Sequence, residues 1–446
     1  MPITFIRLQP DLIEDKNVAQ GPQPLMSLDE AWSRLAEALS TWPAATGRQT
    51  LPTDQALMRV LADDVVSGVD VPPHDNSAMD GYALRLSDWQ QAGGVGAALP
   101  QAQRIAAGQV GAALPPGACA RIFTGAPVPD GADAVVMQEH TQRPPQGSPG
   151  ADLVTFTQPV QSGQNIRRRG EDIACGQVVL SAGRRLGAAA LGVAASVGRA
   201  ELTVFAQPRV GVLTTGDELV MPGQPLPPGG IYNSNRHTLL GLARAAGAEP
   251  LDLGTVPDQL DTTRSALRAA AESCDLVITS GGVSVGEEDH LRQAVLAEGG
   301  LDFWALAIKP GKPFVFGWLR RADGSRVLYM GLPGNPVASL VTFLLLARPT
   351  IGWLAGEGWQ LPRAITLPAA FGWPKPDKRR EFLRARLNEA GELELHPHQG
   401  SGVLSSAAWS DGLVDLPPQT PVSPGDRLRW LPWSELLQPA LSARQP

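Results

Sequence analysis

One stretch restricts the fold more than any other: Asp275-Leu-Val-Ile-Thr-Ser-Gly-Gly-Val-Ser-Val-Gly-Glu-Glu-Asp-His290. Leu276, Val277 and Ile278 form a short apolar run that predicts a buried strand, ended by Thr279 and Ser280. Gly281, Gly282 and Gly286 follow, the residue type that lets backbone N–H groups approach a ligand and that takes positive φ. After Glu287, Glu288 and Asp289, the spacing of Leu291, Val295 and Leu296 predicts a helix stopped at Gly299. Strand, glycine loop, acidic turn and helix in that order belong to an open α/β sheet, whose ligands bind outside the carboxyl ends of strands. An anion fits the loop amides and the helix N-terminus, and a hard cation fits the carboxylates. A tight turn with an acidic helix start gives the same string, so the stretch needs support from elsewhere in the chain.

The surrounding pattern gives that support. From Arg209 the chain alternates strands and helices. Val210–Leu213 is a strand ending at Thr214-Thr-Gly-Asp-Glu218, and helices are expected over 233–247 and 261–274. Further strands are expected at 303–308, 314–318 and 327–330, and Gly331-Leu-Pro-Gly-Asn-Pro336 leads into an apolar helix over 337–347. Such alternation predicts a doubly wound, parallel α/β domain, here bounded at 208–356. Residues 65–170 have short apolar runs and frequent Gly and Pro, which predict a β-rich inserted domain. A helical linker domain is expected from 27–64 together with 171–207. Leu28–Leu39 forms one of its helices behind a Ser27 cap, and Leu57–Leu61 forms another, short one. Over 357–440 the alternating runs Arg380–Leu387 and Glu392–His396 flank a turn at 388–391, which predicts a small all-β C-terminal domain. Residues 1–25 are irregular.

Composition enters only to exclude. The 446-residue chain is acidic, with net charge −7, which argues against a general nucleic-acid binder but leaves room for an anionic ligand held by a local basic cluster. Its three cysteines form no CxxC, which fits a reducing compartment. The run Val337–Ala347, read as stopped by Arg348 and Pro349, is too short for a bilayer. The Met1–Pro10 segment lacks the pattern of a signal peptide. A cytoplasmic protein with no membrane partner is expected.

Three strand-end loops therefore carry polar clusters: Thr215, Gly216, Asp217 and Glu218; Ser280 to Asp289; and Gly331 to Pro336. Three such clusters at one sheet edge predict a site. Asp258, just before a helix, reads equally as a ligand group or an N-cap. Lys309 and Lys312, held in a turn by prolines in Ile308-Lys-Pro-Gly-Lys-Pro313, suit an oxyanion. Arg167, Arg168 and Arg169 beside Glu171 and Asp172 read by themselves as a solvated, salt-bridged edge.

Six strings taken together resemble the molybdopterin molybdenumtransferase family, MoeA in bacteria and the E domain of gephyrin in animals. They are Asn76-Ser-Ala-Met-Asp-Gly-Tyr-Ala83, Thr124-Gly-Ala-Pro-Val-Pro129, Arg167-Arg-Arg-Gly-Glu-Asp-Ile173, Thr215-Gly-Asp-Glu-Leu219, Ser280-Gly-Gly-Val-Ser-Val-Gly286 and Gly331-Leu-Pro-Gly-Asn-Pro336. The resemblance runs from about Leu28 to about Leu431. It implies insertion of molybdate into adenylylated molybdopterin with release of AMP, aided by Mg²⁺. It also implies a homodimer whose cleft lies between the insert of one subunit and the α/β domain of the other. Molybdopterin adenylyltransferase and acceptor molybdoenzymes are the further partners it suggests.

Carried over by position, the resemblance puts Asp80 and Thr124 of the insert in that cleft, flanked by Asp172 and by Arg167, Arg168 and Arg169. Glu218, Asp258, Asp289 and Lys309 would come from the α/β domain, with Glu218, Asp258 and Asp289 as the metal ligands. Thr215, Gly216, Ser280, Gly281, Gly282, Ser284, Lys312, Pro333, Gly334, Asn335 and Pro336 would line the substrate. In one respect the chain departs from the family, which often reads Phe-Trp-Lys where this chain has Phe303-Trp304-Ala305, so one basic group is missing. Two other readings compete. A molybdopterin adenylyltransferase typically carries Gly-Gly-Thr-Gly where this chain has Gly281-Gly-Val-Ser284, and a gephyrin-like scaffold uses a long linker and a fused domain.

Overall fold

The computed structural model describes residues 25–42, 47–282 and 290–438. Its centre is a six-stranded sheet in the order Glu249–Val256, Arg209–Thr215, Leu276–Ser280, Arg326–Leu332, Pro313–Arg320, Gly299–Ala305. The first four strands are parallel, as the βαβ pattern predicts. The fifth, Pro313–Arg320, is reversed and pairs antiparallel with a neighbour on each side, which corrects the expectation of an all-parallel sheet. Connection length is the reason. Only residues 306–312 and 321–325 join these strands to their neighbours, and a parallel crossover needs a dozen or more.

Helices cover both faces of the sheet. Ser234–Ala245 buries Leu239 and Ala243 on one side, while Leu260–Ser273 buries Leu267, Ala270 and Ala271 on the other. The helix Leu28–Ser40 has its Ser27 cap, whose side chain accepts the Glu30 N–H. Its face of Leu28, Ala31, Leu35 and Leu39 packs into the α/β core and not into the linker with which the sequence reading grouped it. Trp32 Nε1 donates to Leu345 O at 2.8 Å across that contact.

The apolar run at 337–347 does not stop at Arg348 and Pro349. A continuous 19-residue helix spans Pro336–Leu354, with one π turn at Phe343–Ala347. Wider winding in that turn absorbs a proline that has no N–H to donate. By length and composition the helix is able to cross a membrane, but here it is buried in the α/β core.

The insert is a six-stranded sheet in the order Ala134–Met137, Gly81–Leu84, Cys119–Ile122, Ala98–Ile105, Leu153–Phe156, Thr141–Gln142. Residues alternate between its two faces, so Tyr82, Leu84 and Phe156 fill one core and Ala83, Ile105 and Ile122 the other. The linker is built from one helix, Ala188–Ser196, and two short antiparallel pairs. Leu57–Leu61 is not helical. A 3₁₀ turn at Thr53–Gln55 precedes it, Leu57 is exposed, and Leu61 instead bridges Val204. In the C-terminal sheet Arg380–Leu387 pairs with Leu393–Leu395 around the expected turn. On the same edge, opposite its partner Gly412–Leu416, it also takes the short strand Ile308–Lys309 in parallel, which fixes this domain beside the α/β domain.

Candidate functional site

The carboxyl ends of the parallel strands open into a cavity of about 840 Å³. Strand Arg209–Thr215 delivers Thr215, Gly216 and Glu218 to it, strand Leu276–Ser280 delivers Ser280, Gly281 and Gly282, and strand Arg326–Leu332 delivers Pro333, Gly334, Asn335 and Pro336. Gly281 and Gly282 have φ of +97° and +61°, and a Cβ on Gly281 would stand 2.7 Å from Thr215 O, so both glycines are required for the two loops to lie together.

Two asparagines tie these loops together, and no sequence pattern singled them out. Asn235 Nδ2 donates to Ser280 Oγ at 2.8 Å and to Gly334 O at 2.7 Å, bridging the second and third loops. Its Oδ1 is buried without a partner among the described residues, an acceptor beside the cavity that a ligand N–H or O–H would satisfy. Asn233, itself buried, caps the helix Ser234–Ala245 and donates to the hydroxyls of Thr214 and Thr255.

Asp258 also lines the cavity, and the alternative that it is a helix cap falls away. The cap position of Leu260–Ser273 is Gln259, and among the described residues Asp258 is anchored by its backbone N–H, which donates to Asp217 Oδ1 at 3.2 Å. Glu218 and Asp258 are thus two oxygen-donor side chains on one wall. Among the described residues no group of three His, Cys, Asp or Glu side chains is placed to hold a metal. Ser284 and Asp289, with Glu287 and Glu288, lie outside the described residues.

The opposite wall is cationic and is shared with the C-terminal domain. Lys309, Lys312 and Arg379 line it together with Gln399 and Ser401. Lys309 Nζ lies 3.3 Å from Asp377 Oδ2 and 3.2 Å from Glu381 Oε1. The second contact is an ion pair without hydrogen-bond alignment, since Glu381 Oε1 has no hydrogen-bond partner among the described residues. Glu381 is almost wholly buried, and its Oε2 accepts from Trp373 Nε1 and Asp377 N. Asp377 takes a forked pair from Arg379, Nε to Oδ1 and Nη2 to Oδ2, both at 3.1 Å. The Arg379 hydrogen bond, followed by the backbone N–H of Arg379 and the Lys309 ammonium, holds the Asp377 carboxyl well below the usual carboxylate range. Arg379 lies in the basic run Lys378-Arg-Arg380, a signal passed over in the sequence. Ala305 is buried opposite Pro313 and does not line the cavity.

Lys309→Ala leaves Glu381 a buried carboxylate with no ion-pair partner among the described residues, a costly arrangement. The Lys309→Ala protein should therefore melt below wild type in differential scanning calorimetry. Lys312→Ala, whose side chain takes part in no ion pair among the described residues, should melt with wild type.

The insert residues do not reach this cavity within one chain. Asp80 and Thr124 meet each other: Asp80 Oδ1 accepts the Thr124 N–H at 2.8 Å and its hydroxyl at 2.9 Å. Arg168 pairs with Asp75 at 2.6 Å, and Arg169 with Asp70 at 2.6 Å, so their charge is largely spent inside the insert and linker. Arg167 and Asp172 are exposed on the same stretch. Elsewhere, His396 and His398 stand two residues apart, their ring centroids 6.0 Å from each other, just ahead of the cavity-lining Gln399.

A cavity at the carboxyl edge of a parallel sheet, with cations on one wall and carboxylates on the other, defines an α/β protein built for an anionic small molecule. Comparison with known proteins narrows the class. Residues 26–198 match the MoeA N-terminal region (domain I and II), 211–353 a probable molybdopterin binding domain, and 366–433 the MoeA C-terminal region (domain IV). The molybdopterin molybdenumtransferase of Haemophilus influenzae is 40% identical over 419 residues, covering 93% of this chain and 100% of that protein. That of Bacillus subtilis is 36% identical over 383 residues, 82% of this chain and 84% of that protein. The crystal structure of a molybdopterin biosynthesis moeA protein from Pyrococcus horikoshii superposes with a TM-score of 0.77 at 27% identity, covering 92% of this chain and 100% of that one. The chain belongs to the molybdopterin molybdenumtransferase (MoeA) family.

Proposed function

We propose that this chain makes molybdenum cofactor by inserting molybdate into adenylylated molybdopterin, with release of AMP, in a cleft shared between two copies of the chain. What carries the reading is the cavity itself, where one wall presents Lys309, Lys312 and Arg379 and the other Glu218 and Asp258. Its volume of about 840 Å³ is in the range of cofactor sites.

The reaction brings a dianionic oxyanion to a substrate that already carries phosphate. In an acidic chain the local cations are what makes that approach favourable. Lys309 and Arg379 are held in place by Asp377 and Glu381, so they are oriented before an anion arrives. Because Ala305 supplies no charge, the loss from Lys309→Ala should appear more in the molybdate requirement than in nucleotide binding. Thr215, Ser280 and the 333–336 loop hold the pterin end, and the open Oδ1 of Asn235 accepts one of its donors.

Glu218 and Asp258 suit Mg²⁺, which is commonly held by one or two carboxylates with waters and substrate phosphates filling the rest. Bound there, Mg²⁺ would supply polarisation of the phosphate. The separation of Asp80 and Thr124 from the cavity of their own chain supports a second copy completing the cleft. A cytoplasmic setting and contact with molybdopterin adenylyltransferase and acceptor molybdoenzymes belong to the same proposal.

The test is to incubate the purified chain with adenylylated molybdopterin, molybdate and Mg²⁺. AMP and metallated cofactor should form together, and omission of molybdate or Mg²⁺ should suppress both. Metallated cofactor without AMP, or neither product, would refute the reading.

A further inference from the structure

The Asp80–Thr124 pair sits where two strands of the insert end. Asp80 leads into Gly81–Leu84, Thr124 follows Cys119–Ile122, and the last rung of the ladder between them is Gly81 opposite Ile122. Beyond that rung no strand pairing fixes the two side chains. Asp80 Oδ1 takes both bonds from Thr124, while Oδ2 takes none among the described residues. The Thr124 N–H, and then its hydroxyl, holds the Asp80 carboxyl below the usual carboxylate range.

Arg121 grips both strand ends. Its Nη1 donates to Gly81 O, the carbonyl next to Asp80, at 3.2 Å. Nη2 donates to Gln138 Oε1 at 2.6 Å, and Gln138 N–H in turn donates to the carbonyl of Asp80 at 3.0 Å. The guanidinium also lies over Tyr82, 5.1 Å from the ring centroid, and over Phe123, the residue before Thr124, at 4.7 Å. Arg104 covers Phe123 as well, at 4.5 Å. Arg104 and Arg121 are register partners on neighbouring strands, an arrangement that like charges disfavour. Gly81 permits the tight local packing, because a Cβ there would stand 1.9 Å from Val136 O.

We infer that Arg121 is a positioning residue, which sets the separation and orientation of Asp80 and Thr124 through Gly81, Gln138 and Phe123. The inference rests on the reading that Asp80 serves the molybdate-insertion cleft. With its guanidinium taken up by Gly81 O, Gln138 Oε1 and the rings of Tyr82 and Phe123, Arg121 acts through the pair.

The experiment is a double-mutant cycle in the full-length chain, reading single-turnover AMP release, the molybdate requirement and thermal melting. Arg121→Gln should slow AMP release by about 10–100-fold, the scale on which a displacement of about 1 Å at a reacting group acts. It should leave the molybdate requirement and the melting temperature close to wild type. Added to Asp80→Ala, it should cost nothing further, because both changes remove one function. Arg121→Lys, which has the charge but not the planar fork, should recover only a small part of the rate. Losses that multiply in the double variant, full recovery with lysine, or a rate loss that follows melting would each overturn the inference. A slow Asp80→Ala beside a wild-type Arg121→Gln would overturn it alone. A wild-type rate for Asp80→Ala would remove the underlying reading of the cleft as well.

Discussion

Asp258→Asn should melt with wild type yet release AMP about 10–100-fold more slowly, the loss that follows removal of a metal ligand or its close support. The substitution is nearly isosteric. The backbone N–H that anchors the residue to Asp217 is untouched, and the helix behind it is capped at Gln259, so stability has no reason to move. The amide lacks the charge that a hard divalent cation needs. Glu218→Gln should behave in the same way, since Glu218 lines the same wall. Both variants should still bind the adenylylated pterin, which on the proposed reading meets three loops and the opposite, basic wall. An Asp258→Asn protein that releases AMP at the wild-type rate under limiting Mg²⁺ would place the cation elsewhere.

Glu357→Ala should cost about 3–5 kcal/mol, the usual penalty for stranding buried charge. Glu357 Oε1 accepts from Arg185 Nε, and Oε2 accepts from Arg348 Nη2 at 3.1 Å, with all three side chains buried or nearly so. Burial pushes the Arg348 guanidinium down to about 10, against the opposing pull of Glu357. The two arginines reach far along the chain. Arg185 donates to Met58 O and Ala246 O, and Arg348 donates to Leu437 O. The triad thus joins the linker, the α/β domain and the C-terminal helix. Without the carboxylate, two guanidinium groups face each other in the interior. In urea the unfolding midpoint should fall sharply, and Glu357→Gln should fall less, because the amide still accepts a hydrogen bond. A midpoint unchanged in Glu357→Ala would show that water reaches the triad freely.

How much of this was legible in the sequence depended on how local each signal is. The parallel part of the central sheet was readable because Leu276–Ser280 and its glycines carry strand, turn and helix in one stretch. The reversal of Pro313–Arg320 was not, because a strand's apolar pattern is the same either way and only loop length separates the cases. The end of the core helix was misread at Pro349, since a π turn upstream is set by packing and leaves no local mark. Glu218, Asp258, Ser280 and Lys309 were found because they stand at strand ends or in a proline-held turn. Asn233, Asn235, Arg379 and Ser401 were missed, because their role exists only once distant loops meet. The arginines at 168 and 169 show the converse, since their counter-charges, Asp75 and Asp70, lie about a hundred positions away in the chain.

The central claim is that one cleft is completed by two copies of this chain, and mixed dimers test it most directly. An Asp80→Ala protein and an Asp258→Ala protein should each be nearly inactive in molybdate-dependent AMP release. Combined as verified heterodimers, they should regain about half the wild-type activity, because a two-fold dimer then holds one cleft with both defects and one with neither. If each cleft were built within a single chain, every cleft in the mixture would carry one defect, and heterodimers as inactive as the parents would contradict the account.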